Sequence, residues 1–436
     1  MSKTEYKLSL RSAILVNINI MLGAGIFINS LPLAKFAGAL GSAVYAIVGI
    51  FMIPLVYTVA TLLKIHPGGS FYTFAKAEIN ETAGFFTSWA YFTAKLASST
   101  LMIHFFSLIV QSLIPIFSSI NVITLDLIII CIFTILNMFN LKAGSRIQLT
   151  FMLFKMIPIL FVILSGLFLL STKNISAENI ILSGIFPSIP LVIYAFTGFE
   201  AACSLSRHIK NPDKNAPKAI FISYSIVILI LCSYQFLFYS SLGSELAKGA
   251  HYFEAFPMLL QIVFPFNDLL RFKLKAILQL AIASSALGGA YGILYSNNWN
   301  LYALVENKHV FFKDKLIKLN SYNIPFWCVI IESLFCISYL LITRGYNIPL
   351  QQIGAFGSTI AYTLSSIALI FACKKSSLLK KIIWIPIISL INCLILLGFC
   401  IKGFITTGAI PLYAFVAVVI VGMIMYFLTK KRSNNF

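Results

Sequence analysis

Long apolar stretches separated by short polar intervals dominate the chain. Each stretch is close to the roughly 20 residues that an α-helix needs to cross a bilayer. The polar intervals, the longest near 243–272 and 304–323, are too short to build a core of their own. The pattern predicts an all-α polytopic membrane protein, one transmembrane domain over residues 1–436, with twelve transmembrane helices at 12–36, 40–63, 84–114, 122–140, 146–171, 185–205, 217–242, 273–303, 324–343, 349–373, 382–402 and 408–429.

Composition and charge agree with this topology. Hydrophobic residues make up 59% of the chain and charged residues 10%, against about 25% charged in a soluble domain. With the N-terminus inside, 22 of the 32 lysines and arginines are cytoplasmic, eight are external and two, Lys95 and Lys155, lie within predicted helices. By the positive-inside rule, we expect both termini in the cytoplasm of a cell (inner) membrane. The net charge of +19 is therefore a topology signal, and no nucleic-acid partner is expected.

The first predicted helix contains a glycine pair, Gly23 and Gly25, where its apolar run is densest. Glycine weakens a helix and tolerates other backbone conformations, and unwound backbone persists at membrane depth only where protein covers it or it lines a cavity. The run before this pair follows three basic residues but is too long for a cleaved signal peptide, so we interpret it as a retained helix. The glycine pair thus predicts a broken helix beside a binding site, although glycines also allow close helix packing.

A second interruption lies in the sixth predicted helix, where Pro187 and Pro190 precede Gly198. Broken helices that open each of two halves point to the midplane site of a transporter. The sequence therefore predicts a 5+5 inverted repeat followed by two extra helices, with the repeats at 12–171 and 185–373 and the appended pair at 382–429.

At five places along the chain, short motifs resemble the amino acid, polyamine and organocation transporter superfamily, whose members have the leucine-transporter fold. They occur in the family's order from the first to the tenth predicted helix. The motifs are Gly23-Ala24-Gly25-Ile26-Phe27, Pro67-Gly68-Gly69-Ser70-Phe71-Tyr72, Gly84-Phe85-Phe86-Thr87-Ser88-Trp89, Gly198-Phe199-Glu200 with Lys210-Asn211-Pro212 and Ala216-Pro217-Lys218-Ala219, and Gly357-Ser358-Thr359-Ile360-Ala361-Tyr362.

The unwound backbone supplies groups that suit a free amino acid. Burying its carboxylate or ammonium without partners costs several kcal/mol, and N–H groups at the start of a half-helix suit the carboxylate. The resemblance assigns these backbone roles to the matching positions. The N–H groups of Ala24 and Gly25 are expected to bind the carboxylate, and the carbonyls of Met21, Tyr194 and Thr197, beside Gly198, the ammonium.

Lys155 lies nine residues after Arg146 in the fifth predicted helix, about 13 Å along a helix and near mid-membrane. A lysine there costs roughly 2.5 to 3.5 kcal/mol on insertion scales. Together with Arg146 and Gln148, it resembles a lysine of proton-coupled members that stands where sodium-coupled relatives bind sodium. The resemblance implies that Lys155 carries proton coupling. Alternatively, a fixed ammonium pins this helix to the carbonyls of the broken first helix.

Two further charged residues have a family precedent. In some relatives the acid that matches Glu200 takes part in gating and proton sensitivity; alternatively, its carboxylate accepts hydrogen bonds from backbone amides and holds the broken segment. Lys95, Ser99 and Met102 form one stripe of the third predicted helix, which faces the substrate side chain in relatives. A cation there disfavours basic substrates and attracts acidic ones. Alternatively, Lys95 pairs with a buried acid such as Glu200.

Other chemistry is not indicated. His104 and the eight cysteines are interpreted as packing groups, and Glu332 has no functional interpretation. The sequence contains no Cys/His cluster and no phosphate-binding Gly-x-x-x-x-Gly-Lys-Ser/Thr loop, so neither an enzyme nor a primary pump is predicted, and no cofactor or metal is expected. Arg207 and His208 stand where relatives often have acids, which leaves the ion pairs of the inner gate open.

The sequence as a whole predicts a secondary active transporter of amino acids that works by alternating access, with protons as the coupling ion. The expected partners are an amino acid substrate, protons and the lipid bilayer, in a monomer or homodimer. An amino acid/amino acid or amino acid/polyamine exchanger is the main alternative, and a channel or transport-like sensor is a remote one. Rocking of predicted helices 1, 2, 6 and 7 against the rest is the expected motion.

Overall fold

Helices make up nearly all of the computed structural model, which describes residues 6–249 and 254–434. The first half of the chain contains the broken first helix and the four long helices after it. In chain order these helices are α1 (Leu10–Met21), α2 (Gly25–Ile28), α3 (Ser30–Ala37), α4 (Gly41–Ile65), α5 (Phe71–Glu78), α6 (Glu81–Leu113), α7 (Pro115–Ser118), α8 (Val122–Asn137) and α9 (Leu141–Phe168).

The second half begins with another broken helix. Two short helices, α13 and α14, lie in the interval after α12, which the sequence marks as polar. The helices are α10 (Ile185–Phe196), α11 (Ala201–Ser204), α12 (Pro212–Leu242), α13 (Glu245–Lys248), α14 (Ala255–Val263), α15 (Asp268–Glu306), α16 (Lys313–Leu316), α17 (Phe326–Thr343), α18 (Asn347–Lys375), α19 (Ser377–Lys380), α20 (Trp384–Thr407) and α21 (Ile410–Asn434).

Ten helical segments of the described chain are long and apolar enough to cross a membrane. The first of them, Leu10–Ile28, runs through the break between α1 and α2. Two of the predicted helices correspond to shorter elements: α8 has 16 residues, and α10 has 12 residues before its run is interrupted. The prediction of an all-α polytopic membrane protein is confirmed.

Asparagine side chains fix the starts of four long helices. Asn80, Asn121, Asn140 and Asn267 precede α6, α8, α9 and α15, and each side chain accepts a hydrogen bond from an N–H group of the first helical turn. Such N-caps satisfy one of the four N–H groups that every helix start leaves without a partner. Each of these helix starts is therefore specified locally by its sequence.

One face of α9 is suited to lipid and the other to protein. Leu153, Leu160, Leu164 and Leu167 are exposed and follow the spacing of one helical face, whereas Lys155 on the opposite side is fully buried. Inside the protein, α6 packs along α15 and α18, while α1 packs against α12, α15 and α9. The broken helices and Lys155 consequently lie in the interior.

The two breaks lie against each other. The first separates Met21 from Gly25, and the second separates Phe196 from Ala201. At the second break Gly198 has a φ of +115°, a region that residues with a side chain rarely adopt. A Cβ atom on Gly198 would lie 2.7 Å from Ile20 Cγ2 and 3.2 Å from the Met21 nitrogen. Glycine at this position thus allows both the backbone turn and the contact between the broken helices.

Candidate functional site

A small cavity lies where the two breaks meet α6 and α15. Both apolar side chains and polar groups line it, as in most small-molecule sites. The residues that line it are Ile20, Met21, Gly25, Lys95, Ser98, Met102, Tyr194, Ala195, Thr197 and Ile293. Six of the predicted substrate-binding residues are therefore brought together: Met21, Gly25, Lys95, Met102, Tyr194 and Thr197.

The predicted stripe on α6 needs a correction of one residue. Ser98, not Ser99, lines the cavity with Lys95 and Met102, while the Ser99 hydroxyl donates to the Ala290 carbonyl of α15 at 3.3 Å. Spacings of three and four residues both return to the same helical face, so Ser98 satisfies the spacing as well as Ser99 does. Packing between α6 and α15 selects between the two serines.

Unpaired backbone groups occur at the first break. Among the described residues, none accepts a hydrogen bond from the N–H of Ala24 or Gly25, and none donates one to the Met21 carbonyl. A buried backbone group without a partner is costly. These groups therefore form the part of the site best suited to a ligand with both an anionic and a cationic end, although Ala24 is outside the cavity lining proper.

At the second break, one expected carbonyl is already occupied. The Tyr194 carbonyl accepts hydrogen bonds from the Thr197 backbone N–H at 3.2 Å and from the Thr197 hydroxyl at 2.9 Å. The expectation of a free carbonyl at Tyr194 is wrong in this conformation, because the Thr197 side chain folds back onto the end of α10. Gly198 lies behind the cavity, against Ile20, and is not part of its lining.

Lys95 and Glu200 form a buried ion pair, with 2.8 Å between Lys95 Nζ and Glu200 Oε1. Tyr91 donates its hydroxyl to the same carboxylate oxygen at 2.9 Å, and the Gly198 N–H donates to Oε2 at 2.8 Å. Glu200 therefore fastens the second break to α6. Lys95 at the same time lines the cavity, so the pairing and pocket interpretations of this lysine both describe its position.

Lys155 reaches the other side of the first break. Its ammonium is fully buried and donates to the Asn19 carbonyl at 2.5 Å. The Asn19 side chain donates to Gln148 Oε1 and, at 3.2 Å, to the Gly288 carbonyl. These contacts join α9, α1 and α15 around one group of polar atoms. The Asn19 carbonyl is the hydrogen-bond acceptor that the described residues provide for the Lys155 ammonium.

Three contacts hold the segment that follows the second broken helix against its neighbours. Arg207 pairs with Glu306 at the end of α15, and the Ser206 hydroxyl donates to the Gly69 carbonyl at 2.6 Å. The Leu8 N–H donates to the His208 carbonyl at 2.7 Å. The ion pair thus joins Arg207, after the second broken helix, to the last residue of α15. Sequence reasoning missed Glu306 because it lies 99 residues from Arg207.

His208 lies within this group of contacts and is buried. Its ring lies 4.1 Å from that of Trp299, measured between centroids. Burial, followed by the positive charges of Arg207 and Lys7, lowers the pKa of His208 to about 4. The neutral imidazole is therefore the form that fits this buried position.

Two other buried groups were not assigned to the site. His104 Nδ1 and Asp126 Oδ2 are 2.6 Å apart and join α6 to α8. Glu332 in α17 is 1% exposed, and neither of its carboxyl oxygens has a hydrogen-bond partner among the described residues. No group of three His, Cys, Asp or Glu in the described chain is placed to hold a metal ion.

The sequence matches a known protein family and several of its members. The family model described as amino acid permease matches residues 8–426. The chain is 23% identical over 375 residues to the amino-acid permease AapA of Bacillus subtilis (strain 168), covering 80% of this chain and 75% of that protein. It is 26% identical over 239 residues to the D-serine/D-alanine/glycine transporter of Escherichia coli O6:H1, covering 51% of this chain and 50% of that protein. The family match includes both breaks and the cavity.

Proposed function

The chain belongs to the amino acid permease family, whose members are membrane transporters rather than enzymes, and from this premise we propose that it is a proton-coupled amino acid symporter. The observation that carries the proposal is the contact of two broken helices at one cavity. The N–H groups of Ala24 and Gly25 would bind the substrate carboxylate, and the Met21 carbonyl would bind its ammonium. Every one of these groups is main chain, so this part of the site is common to all α-amino acids.

The proposed architecture comprises twelve transmembrane helices in a 5+5 inverted repeat with two extra helices. It counts α8 and the broken pair α10 and α11 as spans in addition to the ten long segments. The repeats would occupy 12–171 and 185–373, with both termini in the cytoplasm of the inner membrane. Alternating access would then be rocking of α1, α4, α10 with α11, and α12 against the remaining helices. Closure by Arg207 and Glu306 supports a cytoplasmic gate in this movement.

Protons are the proposed coupling ion because of Lys155. Its ammonium donates to the Asn19 carbonyl beside the first break, so loss of its proton would replace a charge-assisted hydrogen bond between α9 and α1 by a weaker one. A change of protonation there would alter the energy of moving α1. The alternative function is amino acid exchange, in which the same hydrogen bond is a permanent pin; the direct contact with Asn19 is the observation that favours it.

The proposed substrates are amino acids with a small uncharged side chain. Lys95 faces the cavity, but Glu200 compensates its charge at 2.8 Å, so the site offers no free charge for an acidic side chain. Met102 limits the space on the same side. The relative named as a D-serine/D-alanine/glycine transporter is in accord with this substrate class.

Uptake into liposomes tests the proposal. Purified protein would be reconstituted and given a panel of labelled amino acids, with and without an inward proton gradient and with and without unlabelled amino acid inside. We expect accumulation of small neutral amino acids that requires the gradient. Uptake that needs internal amino acid and ignores the gradient would establish the exchanger instead, and the absence of any saturable uptake would refute transport of amino acids.

A further inference from the structure

Glu332 is a buried acid for which the proposed transport mechanism has no use. It lies in α17, with 1% of its surface exposed. The Asn297 amide of α15 lies beside its carboxyl, yet neither carboxyl oxygen has a hydrogen-bond partner among the described residues. A carboxylate in a membrane interior is costly unless it is paired or strongly hydrogen-bonded. The environment therefore suits a carboxyl group that holds a proton.

Among the described residues, no cation of the surrounding helices pairs with this acid. On α17 its ionisable neighbours are the thiols Cys328 and Cys336. On α6 and α8, the charged or titratable groups inside the membrane already have other partners. Lys95 pairs with Glu200, and His104 pairs with Asp126. On α18 the lysines lie at the C-terminal end, as Lys374 and Lys375. The charged residues of α16 are Lys313, Asp314 and Lys315, and those of α15 lie in its first two turns and at its last residue, as Asp268, Arg271, Lys273, Lys275 and Glu306.

A line of polar side chains leads from Glu332 to the inner half of the second broken helix. Asn297 donates to the Phe92 carbonyl at 3.0 Å and accepts a hydrogen bond from Asn300 at 2.9 Å. Asn300 also donates to the Ser204 hydroxyl in α11 at 2.8 Å. Ser204 lies four residues after Glu200, on the half-helix that is proposed to move. Separation of α11 from α15 would break the Asn300–Ser204 contact, and the Asn300 side chain could then reorient against Asn297, whose amide adjoins Glu332.

We propose that Glu332 is a proton-binding site, occupied in the conformation described here, and that the Asn297–Asn300 pair connects it to α11. The proposal rests on the proposed transport function. When α11 leaves α15, reorientation of Asn300 would let the Asn297 amide turn toward Glu332 and stabilise the carboxylate, and the proton would pass to water admitted between the separated helices. One proton would thus move with each transport cycle through a position separate from Lys155.

Glu332→Gln tests this because glutamine has the size of the protonated acid but carries no transferable proton. In liposomes without a gradient, we expect E332Q to exchange labelled substrate at a rate close to that of the wild type. Under an inward gradient of about one pH unit, with the voltage held at zero, loss of one coupled proton should lower steady-state accumulation about tenfold. Accumulation by E332Q equal to that of the wild type would overturn the proposal.

Asp126→Asn is the matched control, because Asp126 is also a buried acid but has His104 as a partner. D126N should retain the accumulation of the wild type. Infrared spectra provide a test that does not depend on transport: the wild type at neutral pH should show the C=O stretching band of a protonated carboxyl, and this band should shift in Glu332→Asp. Absence of the shift overturns the proposal even where E332Q does not transport.

Failure of the proposed transport function would give a different experimental result from failure of the proton site. If the wild-type protein exchanges no amino acid across the membrane, the proposed function itself fails. If the wild type exchanges amino acids and E332Q accumulates them to the wild-type level, the proton site at Glu332 is ruled out and the proposed transport function still holds.

Discussion

The Lys155 ammonium donates to the Asn19 carbonyl at 2.5 Å, where an unbroken helix would place the N–H of Gly23. Because the helix unwinds after Met21, the carbonyls of its last turn lose their partners four residues on. Leu22 accepts a hydrogen bond from Ser285 of α15 in the same way. The two neighbouring helices thus supply the donors that the break removes, and the cost of the unwound backbone is reduced by side chains.

Lys155→Gln should separate proton coupling from a structural role. A glutamine amide can still donate to the Asn19 carbonyl, but it cannot take up or lose a proton. We expect K155Q to exchange labelled amino acid without a gradient and to accumulate about tenfold less of it than the wild type under a gradient of about one pH unit, the share of one coupled proton, both measured in liposomes. Lys142→Gln, at the exposed start of the same helix, is the control. Gradient-driven uptake by K155Q at the wild-type level would contradict coupling through this lysine.

The pair formed by Lys95 and Glu200 should show strong energetic coupling. Removing one member of a buried ion pair typically costs about 3–5 kcal/mol, because the other charge is left without compensation. We therefore expect Lys95→Met and Glu200→Gln each to lower the thermal unfolding temperature in detergent, and the double variant to be more stable than the sum of the two losses implies. Lys248→Met, in the exposed pair with Glu245, should have little effect. If the double variant lost as much unfolding temperature as the two single variants together, a direct interaction between Lys95 and Glu200 would be contradicted.

Met102 should set the upper size of the substrate side chain. A Cβ atom on Gly23 would lie 2.4 Å from Met102 Cε, and one on Gly289 would lie 2.6 Å from its sulfur, so the thioether fills the notch between these glycines. Met102→Ala opens this notch, and one methylene of pocket space changes discrimination by roughly 10- to 200-fold.

Competition for uptake measures this effect. Leucine should inhibit the uptake of labelled alanine by M102A at least about tenfold better than in the wild type. Met423→Ala, on α21 and outside the cavity, is the control and should leave the inhibition pattern unchanged. An unchanged pattern in M102A would place the size limit elsewhere.

The success of sequence reasoning depended on how local each signal was. The breaks were predictable because Gly23, Gly25 and Gly198 act on their own backbone, and the depth of Lys155 followed from counting residues along a helix. The choice of Ser98 over Ser99 depends on the rotation of α6 against α15, to which a spacing rule is insensitive. Pairing of the Tyr194 carbonyl depends on the rotamer of Thr197, which the packed second break selects. Neither has a signature in the residue pattern.

Gly198→Ala should be more damaging than the same change at another glycine with similar backbone. Gly408 has a φ of +118°, close to the +115° of Gly198, but a Cβ atom on Gly408 would meet nothing within 4 Å. Both alanines bear backbone strain of about 1–3 kcal/mol, whereas only Gly198→Ala also pushes against Ile20. We expect both variants to unfold at lower temperature and only G198A to lose amino acid exchange. Equal transport by the two variants would show that contact between the breaks is dispensable.

Stability should fall on mild acidification because of His208. Its pKa of about 4 in the folded protein is below the value of about 6.5 expected in the unfolded chain. The unfolded state therefore binds more protons between these values, so this contribution is complete above pH 6.5 and is lost as the pH falls toward 4. The full difference corresponds to ~3 kcal/mol.

Thermal unfolding in detergent between pH 4.5 and 7 measures this loss. His309 has a pKa that burial also lowers to about 4, so His208→Gln should reduce the pH dependence and the double variant with His309→Gln should reduce it further. Protonated His208 would lie beside Arg207 and under Trp299, and the Leu8 segment bonded to its carbonyl should loosen with it. Amide exchange at Leu8 should accordingly quicken at low pH in the wild type but not in H208Q. An equal pH slope in the wild type and H208Q would show that protonation of this histidine does not destabilise the fold.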